Sequence, residues 1–444
     1  MLHWYTQNAS LVYSECFTGI LRMLHWYTQN ASLVYSECFT GILRILHWYT
    51  LNSELGTLHF TLSTLHSTLK NMLGRLRKKL NPELKTLNTI TISRENILHN
   101  LKILRKLQPK SAFFPVLKSN AYGHGILPML EILKGQNFPY LAVDSYPEYQ
   151  LIHKHSDFNI LLIGETLHEN YHYFDFKRTA FAVATLGTLQ TLAKLKKKIR
   201  IHLFLNTGMN REGFQSQDLA AVIACLQTNP QLELEGVMSH LHSADEEDMS
   251  STQKQIASFK EQYKLLVEAG FEVKWKHIGA SAGMFQLQDE FFTAWRPGIA
   301  LYGYSPLGKQ KESGLLPALR LTSTVISLQK LEIGEGVSYN QTWKASFPCS
   351  VATIPFGYYE GRMRKSSGKL SYSYHGKALP QLGTICMNLS SCLAEENMQI
   401  GDEIELISPE IGALNSIEEI AHHSETIPYE VLIRLDKGIR REIK

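Results

Sequence analysis

From Thr86 onward, apolar and polar residues fall into two alternating periods. "TLNTITIS" alternates residue by residue and predicts a strand, and "RENILHNLKILRKL" repeats its apolar positions at helical spacing and predicts an amphipathic helix. Short apolar runs follow: AFFPVLKS, YLAVDS, NILLIGE, TAFAVAT, RIHLFLNT, LEGVMSHL, WKHIGAS and WRPGIALYG. Helical patterns such as SQDLAAVIACLQ and STQKQIASFKEQYKLLVEAG lie between them. Apolar strands spaced by helices imply a parallel sheet covered on both faces. Eight such units close into a (β/α)8 barrel. The competing architecture, an open doubly wound sheet, would be favoured by a GxGxxG loop after the first strand, and none is present.

Past about residue 325 the texture changes. RLTSTVISLQKL, CSVATIPFGYYEG, GKLSYSYHGKALPQLGTICMN and GDEIELIS are β-rich and separated by glycines, with helical patterns returning at SIEEIAHHS and PYEVLIRL. The expected fold is therefore α/β: a TIM-like (β/α)8 barrel over residues 86–325, then a mainly β C-terminal domain over 326–444. The first strand is free to join either.

The first 80 residues follow neither period. MLHWYTQNASLVYSECFTGILR fills residues 1–22 and recurs unchanged at 23–44, and a degraded third copy starts at Ile45. Packed repeats diverge as each copy adapts to its neighbours, so identity points to a recent duplication or to translated repetitive DNA. No basic segment leads into an apolar one as in a signal peptide. Residues 1–80 are expected to contribute no chemistry, with Met72 an alternative start.

Composition narrows the class. A formal charge of +4 on 444 residues gives no argument for nucleic acid or an anionic membrane. No apolar run is long enough to span a bilayer. Six cysteines show no CxxC pair, and two of them, Cys16 and Cys38, are copies of each other. Free thiols in a reducing cytoplasm are expected.

In such barrels the chemistry sits at the C-terminal ends of the strands. That rule selects Lys118 after the first barrel strand, Arg211 after the fifth, His240 at the end of the sixth, Ser281 after the seventh, and Arg296 with Gly298 in the eighth. Arg296 opens the run WRPGIALYG, so Arg296 and Gly298 reach the same mouth only if the last strand starts later than drawn. Each residue has a plainer reading: a solvated lysine, a helix-capping serine, an arginine paired with Glu212, a core histidine. Together they suggest a lysine that forms a Schiff base with an aldehyde cofactor. The same cofactor would need a phosphate clamp from the last two strand ends. Ser281 offers a hydroxyl, Gly298 and Ile299 offer backbone N–H groups, and Tyr122 adds a phenol. The residues after Lys118 (Asn120, Gly123, Gly125) read as a flexible turn that lets cofactor and backbone come close.

This constellation resembles the alanine racemase family. VLKSNAYGHG is similar to the family's cofactor-lysine motif, with Ser119 where alanine is usual. NTGMNREG, SHLHSADE, WRPGIALYG, GVSYNQTW, IPFGYYEG and GTICMN resemble further family blocks in the family's order. The resemblance implies pyridoxal 5′-phosphate as cofactor, alanine as substrate, no metal, and a homodimer with shared active sites. Lys118 would hold the cofactor and act as base on one substrate face, and Tyr339 from the second subunit would act on the other. Arg296 would face the pyridine nitrogen, unable to give up its proton. Tyr122, Ser281, Gly298, Ile299 and Tyr429 would bind phosphate, and Arg211 would steer the substrate carboxylate. His240 would bond near the cofactor ring. Met387 and Asn388 would come from the partner, and Tyr358 would line the entryway. The product would be D-alanine for peptidoglycan; a serine or broad-specificity racemase is the alternative. The chain departs from the pattern at Phe204, where a lysine is common, and at Asn206, Ala280, Asn388, Glu360 and Arg362. An anion or Asn206 is then expected to support Arg211.

Overall fold

The protein's computed structural model describes residues 86–308 and 310–444; the repeats and Met72 lie outside them. Strand β1 (Thr89–Ile92) leads into the helix Arg94–Leu107, which spans RENILHNLKILRKL. Ser93 caps it by accepting from the Asn96 N–H at 3.1 Å. Ile97, Leu101 and Leu104, spaced by helical turns, are buried. Buried Asn100 ties the helix to the backbone of Leu301 and Leu316, spanning the end of the barrel and the start of the next domain.

The eight apolar runs each carry a strand: β2 (Ala112–Phe113), β3 (Leu141–Val143), β4 (Ile160–Leu162), β5 (Thr179–Val183), β6 (Ile199–Phe204), β7 (Leu232–Met238), β8 (Trp275–His277) and β9 (Ala294–Trp295). β3 to β8 pair in parallel in chain order. β2 pairs in parallel with β9, Val116 bridges Ala142, and Ala280 bridges Arg296. These three links close the ring, so the sheet is a barrel and the open doubly wound alternative is excluded. Side-chain alternation splits its core in two. Phe114, Tyr140, Leu161, Ala180 and Ala294 fill the interior, with Ala182, Phe204 and Met238 as a second cluster. Phe181 and Val183 join the core beneath the helices.

Two local readings change. WRPGIALYG is not a strand throughout: β9 stops at Trp295, and Ile299–Tyr302 is a 3-10 helix. The strand thus starts and ends earlier than the sequence drew it, not later as expected, and Arg296 and Gly298 stand past its C-terminal end. The residues after Lys118 are not a loose turn. Ser119, Asn120, Ala121 and Tyr122 all sit near φ +52 to +55°, a left-handed turn costing roughly 1–2 kcal/mol per residue for L-amino acids. Glu148 offsets that cost by accepting the N–H groups of Ser119 at 2.6 Å and Asn120 at 3.4 Å.

The second domain continues with β10 (Leu319–Thr324), β11 (Ser327–Leu331), β12 (Gly336–Val337), β13 (Trp343–Lys344), β14 (Cys349–Ile354), β15 (Ser371–Tyr374), β16 (Lys377–Leu382), β17 (Ser390–Leu393), β18 (Glu403–Ile407) and β19 (Arg440–Ile443). Nine strands form one sheet in the order β11-β14-β17-β16-β15-β18-β10-β1-β19. β1 pairs antiparallel with β10 and parallel with β19, so the first strand belongs to this sheet. The sheet also takes in Leu319–Thr324, ahead of Ile326, because the glycine spacing that marks the change of texture begins only after β10. Arg441 Nε donates to the Gly123 carbonyl at 2.8 Å, fastening the end of the chain to the turn that carries Lys118.

Candidate active site

A cavity of about 360 Å³ opens at the C-terminal ends of the barrel strands. Lys118, Tyr122, Arg211, His240 and Arg296 all line it, with Asp144, Glu165, Phe204, Glu212 and Ala280. A larger cavity of about 590 Å³ lies at the opposite end, among residues such as Arg200 and Glu233 at the starts of β6 and β7. Barrels place their chemistry at the C-terminal mouth, so the smaller cavity is the candidate.

Lys118 Nζ stands 3.6 Å from Asp144 Oδ1. Asp144 and Glu165 follow β3 and β4, and the rule that selected Lys118 would have found both. Arg296 is the most constrained group. It is 3% exposed and donates to the carbonyls of His277 (2.9 Å), Ser239 (2.6 Å) and Ile278 (3.1 Å). It also donates to His277 Nδ1 at 2.6 Å and His240 Nδ1 at 3.3 Å. Burial first, then the nearby Arg211 charge, lower its pKa to about 10. Its hold on the proton is thus weaker than that of an ordinary arginine, though it is still charged at neutral pH. Burial, with Arg296, Arg211 and Lys118 close by, drives His240 down to about 3, so it is neutral and accepts.

The residues expected to clamp phosphate meet beside the cavity. The added Cβ of a residue at position 298 would stand 2.5 Å from the Tyr122 hydroxyl, so only glycine leaves this cradle open. Ser281 Oγ accepts from the N–H groups of Gly298 (3.0 Å) and Ala300 (3.2 Å). The donors on Ser281 are thus Gly298 and Ala300, where Gly298 and Ile299 were singled out for phosphate. The Tyr122 ring lies between Tyr302, 5.0 Å away, and Tyr429, 6.0 Å away. Burial raises both Tyr122 and Tyr429, the latter to about 12, so both hydroxyls keep their hydrogens as donors.

Arg211 is held neither by Asn206 nor across from Phe204. Its Nε and Nη2 donate to Glu212 Oε1 at 3.0 and 2.7 Å. Asn206 turns instead to its own loop and bonds Asn210. Phe204 offers no hydrogen-bond acceptor to a guanidinium, which leaves the adjacent carboxylate.

Tyr339, Met387 and Asn388 do not line the cavity of their own chain. Tyr339 is 66% and Met387 55% exposed, on the β domain. They share one surface: Ser338 Oγ donates to the Thr384 carbonyl, and the Tyr358 and Tyr359 N–H groups donate to the carbonyls of Cys386 and Met387. Asn388 donates to Glu360 Oε1 at 2.8 Å, so these two departures from the expected pattern pair with each other. Arg362 belongs to no mouth. It is buried between the rings of Phe356 and Tyr372.

Comparison with known proteins gives one answer. Family models described as alanine racemase N-terminal domain and alanine racemase C-terminal domain match residues 92–306 and 318–443. An alanine racemase of Carboxydothermus hydrogenoformans is 31% identical over 359 residues, covering 79% of this chain and 97% of the relative. Alanine racemase 1 of Clostridium acetobutylicum is 29% identical over 362 residues, covering 79% and 93%. The crystal structure of alanine racemase from Bacillus anthracis with bound L-Ala-P superposes with a TM-score of 0.76 at 27% identity, covering 81% of this chain and 96% of that one. With barrel, β domain and full-length relatives in agreement, the chain belongs to the alanine racemase family and is an amino-acid racemase.

Proposed function

We propose that this racemase interconverts L- and D-alanine with pyridoxal 5′-phosphate, as a homodimer whose two active sites each draw on both chains. The residues present fit that cofactor. Gly298 keeps open a cradle that a Cβ would fill, and Tyr122, Tyr429 and Ser281 bring hydroxyls to it. Lys118 would hold the cofactor, and Arg296 would face its ring nitrogen. When bound, the cofactor acidifies the substrate Cα–H by accepting charge into its ring. Arg211 pairs with the substrate carboxylate and so orients the Cα–H bond. Lys118 Nζ exchanges the proton on one face, and Tyr339 of the partner subunit exchanges it on the other. Met387 and Asn388 of the partner subunit close the substrate side, and Tyr358 lines the entryway. Removal on one face and return on the other inverts the centre, and two bases allow both directions.

The observation that carries this reading is the separation of the two groups. Lys118 lines the cavity, whereas Tyr339 stands exposed on the β domain beside Tyr359 and Met387, in an apolar patch suited to an interface. A second chain would bring that patch over the mouth. Among the described residues no helix is long and apolar enough to cross a membrane. A cytoplasmic enzyme supplying D-alanine for peptidoglycan fits, with residues 86–325 and 326–444 as the two working parts and 1–80 outside them.

Complementation tests it. Lys118→Ala and Tyr339→Phe should each abolish racemisation of L-alanine, followed by circular dichroism. Random pairing of the two variants should restore about a quarter of wild-type activity, since half of the dimers are mixed and one of their two sites is intact. A mixture that stays inactive would remove the shared site. Wild-type rates in Tyr339→Phe would remove the second base. The same assay on L-serine reads substrate breadth.

A further inference from the structure

A line of buried hydrogen bonds leaves Arg296 in the direction away from the cavity. Arg296 donates to His277 Nδ1 at 2.6 Å. His277 Nε2 lies 2.7 Å from His202 Nδ1, and His202 Nε2 lies 3.4 Å from Glu235 Oε2. Tyr140 donates to the same carboxylate oxygen, and Arg200 donates to the Tyr140 hydroxyl at 2.9 Å. Both imidazoles are fully buried. The line runs inside the barrel from its C-terminal mouth towards the N-terminal end, through side chains of β8, β6 and β7.

Donor chemistry orders this line. A guanidinium has no lone pair to offer, so His277 Nδ1 must be bare and its Nε2 must carry the hydrogen. That hydrogen points at His202 Nδ1, so His202 in turn carries its hydrogen on Nε2. An ionised carboxylate only accepts, which suits Glu235 at the far end. Both histidines are therefore neutral Nε2–H tautomers, with every donor facing from Arg296 towards Glu235. Burial holds both imidazoles below their usual pKa. Against the upward push of burial, the bonds from His202 and Tyr140 hold Glu235 below the usual carboxylate value.

The backbone is shaped for the line as well. A Cβ at position 236 would stand 2.5 Å from His202 Nδ1, so β7 carries glycine where the His202 ring crosses it. Phe114 packs edge-on against both imidazoles, with ring centroids 6.0 and 5.2 Å away. Such packing leaves little room for either ring to turn.

We propose that His202 and Glu235 are positioning residues of the active site: they fix the tautomer of His277, which holds Arg296 with a lone pair and keeps its guanidinium aimed at the cavity. This rests on the reading of Arg296 as the group that faces the cofactor ring. Without an acceptor at position 235, His202 is free to carry its hydrogen on Nδ1. His277 then takes the opposite tautomer and presents a donor to a donor. Arg296 is displaced although neither it nor His277 has changed.

The test is nitrogen-15 NMR of histidine-labelled protein, free of cofactor and loaded, beside kinetics of Glu235→Leu and Glu235→Gln. In the wild type, His202 and His277 should both show a bare Nδ1 and a protonated Nε2. Glu235→Leu, of similar size but with no acceptor, should mix or invert both tautomers. It should lower kcat for alanine about tenfold or more, as loss of an outer-shell partner does elsewhere. KM should move less than about threefold, because Arg211 still binds the carboxylate. Glu235→Gln keeps an acceptor oxygen and should restore the tautomers and most of kcat. A protonated Nδ1 on wild-type His277 overturns the proposal even if Glu235→Leu fails to fold. So does a folded Glu235→Leu with unchanged tautomers and kcat. The expected tautomers in a wild-type protein that does not racemise would support the hydrogen-bond line and overturn the reading of function.

Discussion

Replacing Gly298 with alanine probes the proposed phosphate cradle with a single methyl group. The new carbon would stand 2.5 Å from the Tyr122 hydroxyl oxygen and 3.0 Å from its ring carbon Cζ, far inside the separation of about 3.5 Å at which such atoms rest. Tyr122 cannot retreat inward. Its ring packs on Tyr302, which is fully buried and donates to the Val116 carbonyl at 2.8 Å. The phenol must swing away from position 298 and take its donor with it. A hydrogen bond to a charged group contributes about 1.5–3 kcal/mol net. Pyridoxal 5′-phosphate should therefore bind about 10- to 150-fold more weakly. Stability of the cofactor-free protein should fall by about 1–3 kcal/mol, since the displaced Tyr122 ring gives up packing on Tyr302. The assay is equilibrium titration of that protein with the cofactor, read by tryptophan fluorescence. Tyr122→Phe removes the same donor by another route, and the double variant should lose no more than the worse single one. Wild-type affinity in Gly298→Ala, or full additivity with Tyr122→Phe, would show that the methyl group does not act through the Tyr122 donor.

Two further outcomes test the fold around the site. His124 is buried, with Nδ1 donating to the Tyr122 carbonyl, and burial lowers it to about 4, as it lowers His240 to about 3. Both lie below the unfolded value of about 6.5, so the unfolded chain binds more protons, and stability falls as pH drops from about 6.5 towards 4. Each histidine should contribute about 1.4 kcal/mol per pH unit in that window. Urea midpoints between pH 6.5 and 5 would read the slope, His124→Phe should lower it, and a flat profile would contradict the burial. Gly123→Ala would set a Cβ 2.1 Å from the Leu432 carbonyl oxygen at φ +79°, and should cost about 3 kcal/mol or more. Gly135→Ala, at the same φ with open space around it, should cost only about 1 kcal/mol in the same denaturation experiment.

The periods along the chain were enough to find seven of the barrel strands and the helix Arg94–Leu107, because each is written in a few neighbouring side chains; the eighth, β9, was drawn too late. Position at or near a strand end was enough to select Lys118, Tyr122, Arg211 and His240 as candidates, and the family resemblance added Tyr429. Asp144 and Glu165 were within reach of the same rule. Pairing across the chain was not legible. Nothing local in TLNTITIS says that Thr89 lies opposite Thr322 and Arg440, and nothing in AFFPVLKS says that it closes a ring with Ala294. The left-handed turn after Lys118 was hidden because its φ values are held by Glu148, a side chain from another element. His202, His277 and Glu235 read as ordinary strand residues until folding aligned them. Arg211 found its partner in Glu212, next along the chain. Short-range periodicity and residue type thus marked most strands and helices and the candidate side chains that gather at the barrel mouth. Apart from such neighbours as Glu212 beside Arg211, what those side chains face came only with folding, because burial, most hydrogen-bond partners and the charges that shift a proton come from residues distant in sequence.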